Sequence, residues 1–412
     1  MQKRICILTQ SHLCRNPRVV KEANALAEAG HDVTILTTFS DAKLLQEDQK
    51  LIDTARIKLK GVVNIIPGVA SKAYRLRERL KRRLAGEFIA RLGWENVYAL
   101  GYDYRANLKA ALREDADLYT CHQEISTVIG CKLMKRGRKV AFDFEDWYSH
   151  DLLPEANRTR PLKLLEKYER YALQHSPLVY TTSNSMAVAM AEFAGSAVPK
   201  VLHNVFPLAE RKLLDGAFKD RKDTERPSIH WYSQTIGPGR GLEFLTESLH
   251  LVHVPVDLHL RGNLFGDFEE QLRKRFPHEK GHRIFFHELV PHHELLSRIA
   301  EHDIGLATEE YTPDSRNLTI TNKILQYLLA GIAVVASDTA GQKEVAEAAP
   351  DAVALFKNKN KESFVAALNS SLNNPDKLKQ AKIKALQYAE NQLCWEQQKH
   401  KLVAWVEGVA RG

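Results

Sequence analysis

The chain has 412 residues, 44% of them hydrophobic and 27% charged, which is enough apolar material for two or three packed domains. Its longest apolar stretch, 324–336, is broken by Gln326, Tyr327 and Gly331, so a membrane-spanning helix is excluded, and the start MQKRICILTQ has no leader-type cleavage site. Lys and Arg number 59 against 51 Asp and Glu, a net charge of +8 that favours anionic partners; five scattered cysteines (Cys6, Cys14, Cys121, Cys131, Cys394) exclude a disulfide framework and fit a reducing, cytoplasmic compartment.

In chain order, β-branched and aliphatic runs at 4–9, 32–38, 117–121, 139–144, 178–182 and 200–203 read as strands with helical patterns between them. The helix after the first strand is the best specified. Asn16 caps it, Pro17 takes the first helical position, Val19, Ala23 and Leu26 fall at i, i+4 and i+7, and Gly30 closes it in the left-handed conformation. The loop 10–15 before it either lines a ligand cleft or is an ordinary βα turn, since no G-x-G-x-x-G fingerprint is present. A polar, charge-rich stretch at 206–227 reads as a linker. A second strand series follows at 228–233, 256–261, 284–287, 303–307 and 333–337. Alternation of this kind predicts mostly parallel sheets covered on both faces, hence an α/β protein of two doubly wound domains, 1–205 and 228–392.

Two loops in the second domain carry the chemistry. The segment SQTIGPGRGLE (233–243) brings Gly237, Gly239 and Gly241 to the end of a strand, with Arg240 at the start of a helix; this suits a diphosphate, or a tight turn that needs glycine. The segment RNLTITNKILQYLLAG (316–331) predicts a helix capped by Thr321 and stopped by Gly331. Lys323 then falls in the first turn, where a cation opposes the helix dipole unless an anion compensates. Glu309 and Glu310 read as a loop pair at a strand end. Asp115 and Asp117 read as a solvated turn, and His287, His292 and His293 as a polar loop, because no further ligand completes a tetrahedral set.

Several stretches in order resemble the retaining family-four glycosyltransferases of the GT-B fold: 16–36 (NPRVVKEANALAEAGHDVTIL), ADLYTCH (116–122), VLHNV (201–205), the glycine loop 237–243, 325–338 ending in AGIAVVASD, and GQKEV (341–345). The resemblance implies two Rossmann-like domains facing a cleft, with the C-terminal segment 393–412 crossing back to the N-terminal domain. It also implies transfer of a hexose-like sugar from a nucleotide-diphosphate donor to a hydroxyl of a cell-envelope glycan or lipid-linked saccharide, without a metal or other cofactor. Carried over by position, His122 is expected near the transferred sugar, Arg240 and Lys323 on the leaving diphosphate, Gly239, Gly241, Thr319, Thr321 and Asn322 along the donor, and Gln326 on the ribose. The chain departs from the family pattern at Gln234, where many members have arginine, at Leu318 and Gln326, where they have glutamates, and at Glu145, where they have histidine. A non-catalytic nucleotide-sugar-binding or scaffold protein of the same fold is therefore the competing reading, and nucleic-acid binding finds no recognition motif.

The stretch KAYRLRERLKRR, from Lys72 to Arg83, holds seven Lys or Arg against Glu78 alone, with Leu76, Leu80 and Leu84 recurring every four residues. It predicts a basic amphipathic helix that either packs its leucines inward or lies on an anionic membrane surface; the family resemblance favours the second, at the inner face of the cell membrane.

Overall fold

Parallel strands must be joined by crossovers on the sheet faces, and strand–helix alternation delivers that arrangement twice in this chain. A computed structural model describes residues 2–411 and divides into a first unit, Met1–Leu202 with Lys399–Gly412, and a second, His203–Gln398.

The first unit holds β1 (Arg4–Leu8), β2 (Asp32–Phe39), β3 (Ile57–Asn64), β4 (Leu118–His122), β5 (Val140–Phe144), β6 (Leu178–Thr181) and β7 (Lys200–Val201) in one sheet of order β3-β2-β1-β4-β5-β6-β7. Every pairing is parallel. Strands β4 and β5 are buried along their whole length, as a sheet covered on both faces requires. The helix Pro17–Glu28 forms as its sequence predicts: the Asn16 side chain accepts from the Val19 amide, and Gly30 has φ +88°. At the C-terminus, Lys399 pairs with Glu28 at 3.2 Å and the Lys200 ammonium lies 5.0 Å over the Trp405 ring.

The second unit holds β8 (Ser228–Ile236), β9 (Asp257–Leu264), β10 (Arg283–His287), β11 (Ile304–Ala307), β12 (Ala333–Ser337) and β13 (Val353–Phe356), all parallel, in the order β10-β9-β8-β11-β12-β13. The stretch 206–227, expected as a linker, is part of this unit. Its Arg221 is buried, donates to the carbonyls of Glu301, Thr224 and Arg226 at 3.0 Å each, and pairs with Asp303 at 2.8 Å. The charges that suggested a solvated connection are internal fastenings.

Two strands escaped the sequence reading, β3 and β13, and both are edge strands. β3 alternates exposed lysines with its apolar residues, and β13, VALF, is apolar but only four residues long, a run that periodicity alone does not assign to strand or helix. The five cysteines are free, with Cys6, Cys121, Cys131 and Cys394 buried, and among the described residues no helix is long and apolar enough to cross a membrane.

One close approach fixes the helix Asn322–Ala330 on the second sheet. A Cβ on Gly305 of β11 would lie 2.3 to 2.5 Å from the Tyr327 ring, whose hydroxyl donates to the carbonyls of His230 and Leu306. Gly305→Ala should therefore lower stability by about 1–3 kcal/mol, the usual cost of overpacking a tight interior. A reduced urea midpoint checks this; an unchanged midpoint would mean that the ring relocates at no cost.

Candidate functional site

In an open parallel sheet the loops at the carboxyl ends diverge where the strand order changes direction, and a crevice opens between them. That point lies between β1 and β4 in the first unit and between β8 and β11 in the second.

In the first unit the crevice is underlain by a buried charge network. His122, the last residue of β4, has no exposed surface; its Nδ1 lies 2.8 Å from Glu145 Oε1 and its Nε2 2.9 Å from Glu22 Oε2. Asp143 on β5 is held by Arg18 through two guanidinium nitrogens and lies 3.4 Å from His122 Nδ1. Tyr180 donates to Glu22, and Asn16 donates to Glu145. Burial works against protonation of His122, but Glu22, Glu145 and Asp143 overcome it and raise its pKa to about 10. Burial pushes Asp143 up to about 6 against the pull of Arg18 and His122. Glu22, His122 and Asp143 are near enough to share one metal ion, yet Arg18 and the imidazolium already supply the positive charge there.

The residue after His122 sets the loop above it. Gln123 has φ +69°, a backbone conformation that non-glycine residues rarely take, and it is tied down on all sides. Its side-chain oxygen accepts from Thr9 Oγ1 and the Gln10 amide, and its own amide donates to the Tyr148 hydroxyl. His122, expected beside a sugar, is thus enclosed below the crevice, one residue before this turn.

In the second unit the glycine loop follows β8, and Gly241, at φ +76°, precedes the helix Leu242–Leu249. A Cβ on Gly241 would meet the Thr308 carbonyl at 3.2 Å, so glycine lets this turn sit against the end of β11. The helix Asn322–Ala330 starts after Thr321 as predicted, although Thr321 gives no side-chain cap bond. Lys323 reaches Glu309 at 2.5 Å and lies 5.7 Å over the Trp231 ring. Lys323 thus already has a carboxylate partner, from the loop after β11. Burial pushes the Glu309 carboxyl up, but Lys323, with Arg316 and Arg240 further off, holds it below the usual carboxylate range. Arg240 is otherwise exposed, 3.3 Å from Ser233 Oγ.

The remaining candidates lie close by. Gln326 is buried, its Oε1 accepting from the Tyr232 hydroxyl; Thr319 donates through Oγ1 to the Ser315 carbonyl; Asn322 accepts from Asn204 at 3.3 Å. Gly341 backs Thr319 so closely that a Cβ would lie 2.4 Å from its carbonyl. Beside Gly241 is a cavity of about 240 Å³ lined by Thr308, Glu309, Glu310 and Ser337. Thr308 Oγ1 is buried there with no hydrogen-bond partner.

The helix Lys72–Leu92 inverts the packing expected of a surface helix. Leu76 is 64% exposed, Leu80 51%, Leu84 46%, Phe88 45% and Leu92 54%, while Glu78, Ala85 and Gly86 face inward. Glu78 is buried because Lys81 and Arg77 pair with it and the Asp103 amide donates to it.

Arg18 and Glu22 were not read as site residues from the sequence, and Asp143 only as the start of the segment that holds Glu145. The signal was available: Arg18 and Glu22 are four apart beside the apolar stripe of one helix, and Asp143 interrupts the apolar run VAFDF. His122→Gln removes the cation and leaves carboxylates facing one another, so stability should fall by about 3–5 kcal/mol near neutral pH. Because the folded pKa lies above the unfolded value of 6.5, the contribution is full below pH 6.5 and is lost as pH rises through about 10. Denaturant midpoints of wild type and variant should converge across that window; a constant gap would contradict a charged His122.

Residues 18–209 match the family described as Glycosyltransferase Family 4, and residues 227–374 match Glycosyl transferases group 1. No curated protein sequence matches the chain. Among solved structures, HepE from Anabaena in complex with UDP-glucose is similar at TM-score 0.66 and 16% identity, with 99% of this chain and 100% of that one covered. Sucrose-phosphate synthase from Thermosynechococcus elongatus is similar at 0.66 and 13%, with 99% of each chain covered. The α,α-trehalose 6-phosphate synthase from Burkholderia multivorans is similar at 0.61 and 12%, with 100% and 99% covered. Those likenesses establish the architecture, and the two family matches, consecutive and together spanning most of the sequence, establish the kinship: the chain belongs to the family-four glycosyltransferases and has the GT-B fold.

Proposed function

We propose that the protein is a retaining glycosyltransferase that moves a hexose from a nucleotide-diphosphate sugar to a hydroxyl of a cell-envelope glycan or lipid-linked saccharide. The observation that carries this reading is the placement of Lys323, paired with Glu309, and of the exposed Arg240 on the glycine loop at the switch point of the second sheet, beside the cavity that Gly241 and Thr308 line. Arg240 makes no ion pair among the described residues, so its charge is available to a diphosphate. The UDP-glucose held by HepE supports the donor class.

In this reading Arg240 and Lys323 stabilise the departing diphosphate, and the amides of Gly239, Gly241 and Asn322 add helix and turn dipoles to the same end. Thr308 Oγ1, buried and unpartnered, is a hydrogen-bond donor for a donor oxygen, and Thr319 and Thr321 border the same approach. Gln326 serves the ribose through its amide nitrogen. The acceptor oxygen bonds to the anomeric carbon on the face from which the diphosphate leaves, the carbon–oxygen bond to the phosphate breaks, and the hydroxyl proton passes to the departing phosphate oxygen, so configuration is retained without a covalent enzyme intermediate. His122 is a positioning residue for the Gln123 turn. The side chains supply the positive charge, so the reaction is proposed to run without a metal. The competing reading, a nucleotide-sugar-binding protein without turnover, draws on Leu318 and Gln234.

A thermal-shift panel of nucleotide sugars tests the donor site, since a ligand at 100 times its dissociation constant adds about 2.7 kcal/mol of stability. Arg240→Ala and Lys323→Ala should each weaken the binding donor by about 1.5–3 kcal/mol. Unchanged affinity in both would overturn the site. Release of nucleoside diphosphate that persists in EDTA supports metal-free transfer, and donor binding without release selects the non-catalytic reading.

The exposed stripe on the helix Lys72–Leu92 supports peripheral association with an anionic membrane surface at its cytoplasmic face. Leu76→Ser with Leu80→Ser and Leu84→Ser should reduce cosedimentation with vesicles containing anionic lipid and leave the fold intact. Equal sedimentation of variant and wild type would remove the stripe from the interface.

A further inference from the structure

A stack of histidines is buried in the second unit, on the face of its sheet that the helix Asn322–Ala330 covers. His230 on β8, His259 on β9, His287 at the end of β10 and His302, two residues after the helix His292–Ala300, lie ring beside ring. The ring centres are 4.6 Å apart between His230 and His302, 4.6 Å between His302 and His259, and 5.2 Å between His259 and His287. Both ring nitrogens of His230, and Nε2 of His259 and of His302, are buried with no hydrogen-bond partner, which neutral imidazoles tolerate far better than charged ones. His259 Nδ1 lies 2.9 Å from His287 Nε2, a bond that needs one of the two nitrogens bare, and His302 Nδ1 lies 2.8 Å from Ser228 Oγ. The charges around the stack are committed elsewhere: Asp220 to Arg261, Asp303 to Arg221 and Lys382, Glu301 to Arg298, and Arg283 to Asp257 and Asp223. The second carboxylate oxygen of Asp220, 3.4 Å from His287 Nδ1, is the one anionic contact to these rings among the described residues. At one end of the stack Asp220 belongs to the segment 206–227. At the other, the His230 ring lies 5.9 Å from Tyr232 and 6.1 Å from Tyr327, and Tyr232 donates to Gln326 of the helix Asn322–Ala330.

We propose that these four histidines form an acid-sensitive latch, which holds the segment 206–227 and the helix Asn322–Ala330 on the second sheet while the rings are uncharged and releases both when the rings are protonated together. Burial is the main force that keeps all four below the usual histidine range, His259 at about 3, and a nearby arginine adds to it at each ring. An opened ring returns to the ordinary value of 6.5, so the latch is closed above that pH, and every ring that opening would free favours opening as the pH falls below it. Between pH 7.5 and 5.5 the opening constant should rise about tenfold for each ring freed. The latch is independent of the transferase reading, although Lys323 and Gln326, assigned to the donor there, ride on the helix that it releases.

The test is hydrogen exchange of the full chain at pH 7.5 and 5.5, read peptide by peptide and corrected for the intrinsic pH dependence of exchange. Opening of 206–227 and 322–330 should increase by at least about tenfold in acid, and that of β1 and β2 in the first unit by much less. Unchanged protection in the two segments, or equal loosening of β1 and β2, overturns the latch. The double variant His230→Phe, His302→Phe keeps aromatic rings in the stack and removes two of its proton sites, so its acid response should be smaller by about tenfold for each missing ring that opening frees. A response equal to that of wild type overturns the proposal. Wild type supplies a check that needs no variant: with 13C at histidine Cε1, four of the 17 resonances should stay at the neutral-imidazole position down to the pH at which the segments open. Titration of every neutral ring near pH 6.5 would overturn the latch as well.

Discussion

Every strand pair in both sheets is parallel, and this one constraint organises the rest of the chain. Parallel pairing sends each connection back across a face, so all loops that leave carboxyl ends collect along one edge of each sheet. The glycine loop, the Thr308–Glu310 turn, Gln10 and Gln123 all lie on such edges. None of them needs a dedicated scaffold, because the topology assembles them.

The two crevices handle charge in opposite ways. Under the first, Arg18 and the His122 imidazolium are enclosed by Glu22, Asp143 and Glu145, so the cations there already have their anions. Beside the second, Lys323 is paired with Glu309 while Arg240 on the glycine loop has only the Ser233 hydroxyl within reach. A matched network is complete; an unmatched cation waits for an anion. The difference explains why a histidine at a strand end and an arginine in a glycine loop, equally conspicuous in sequence, take different parts in the structure.

The central strands, the first helix with its cap, the glycine loop and the start of the helix Asn322–Ala330 were legible because each rests on local pattern. The edge strands β3 and β13 were not, since lysines interrupt the apolar run of β3 and the four apolar residues of β13 fit a strand or a helix equally. The linker at 206–227 was misread because composition does not tell a solvated arginine from Arg221, which is buried among carbonyls. Lys323 was recognised as needing an anion, but its partner Glu309 is 14 positions away in sequence and reaches it only through the packing of one helix on the sheet. The leucines of the helix Lys72–Leu92 have a period that fits burial and exposure equally, and only the tertiary structure decides.

The cysteines lead to a practical property of the molecule. Burial raises the pKa of all five thiols, to about 12 for Cys131 and, with help from Asp48, to about 12 for Cys14, while Cys6, Cys121 and Cys394 are also pushed upward. Thiolate is the reactive form, so at neutral pH the native chain offers alkylating reagents almost no target. A single cysteine placed on the exposed stripe of the helix Lys72–Leu92 would then take up a fluorophore or spin label selectively in the otherwise unmodified protein, and would report directly on what that face touches.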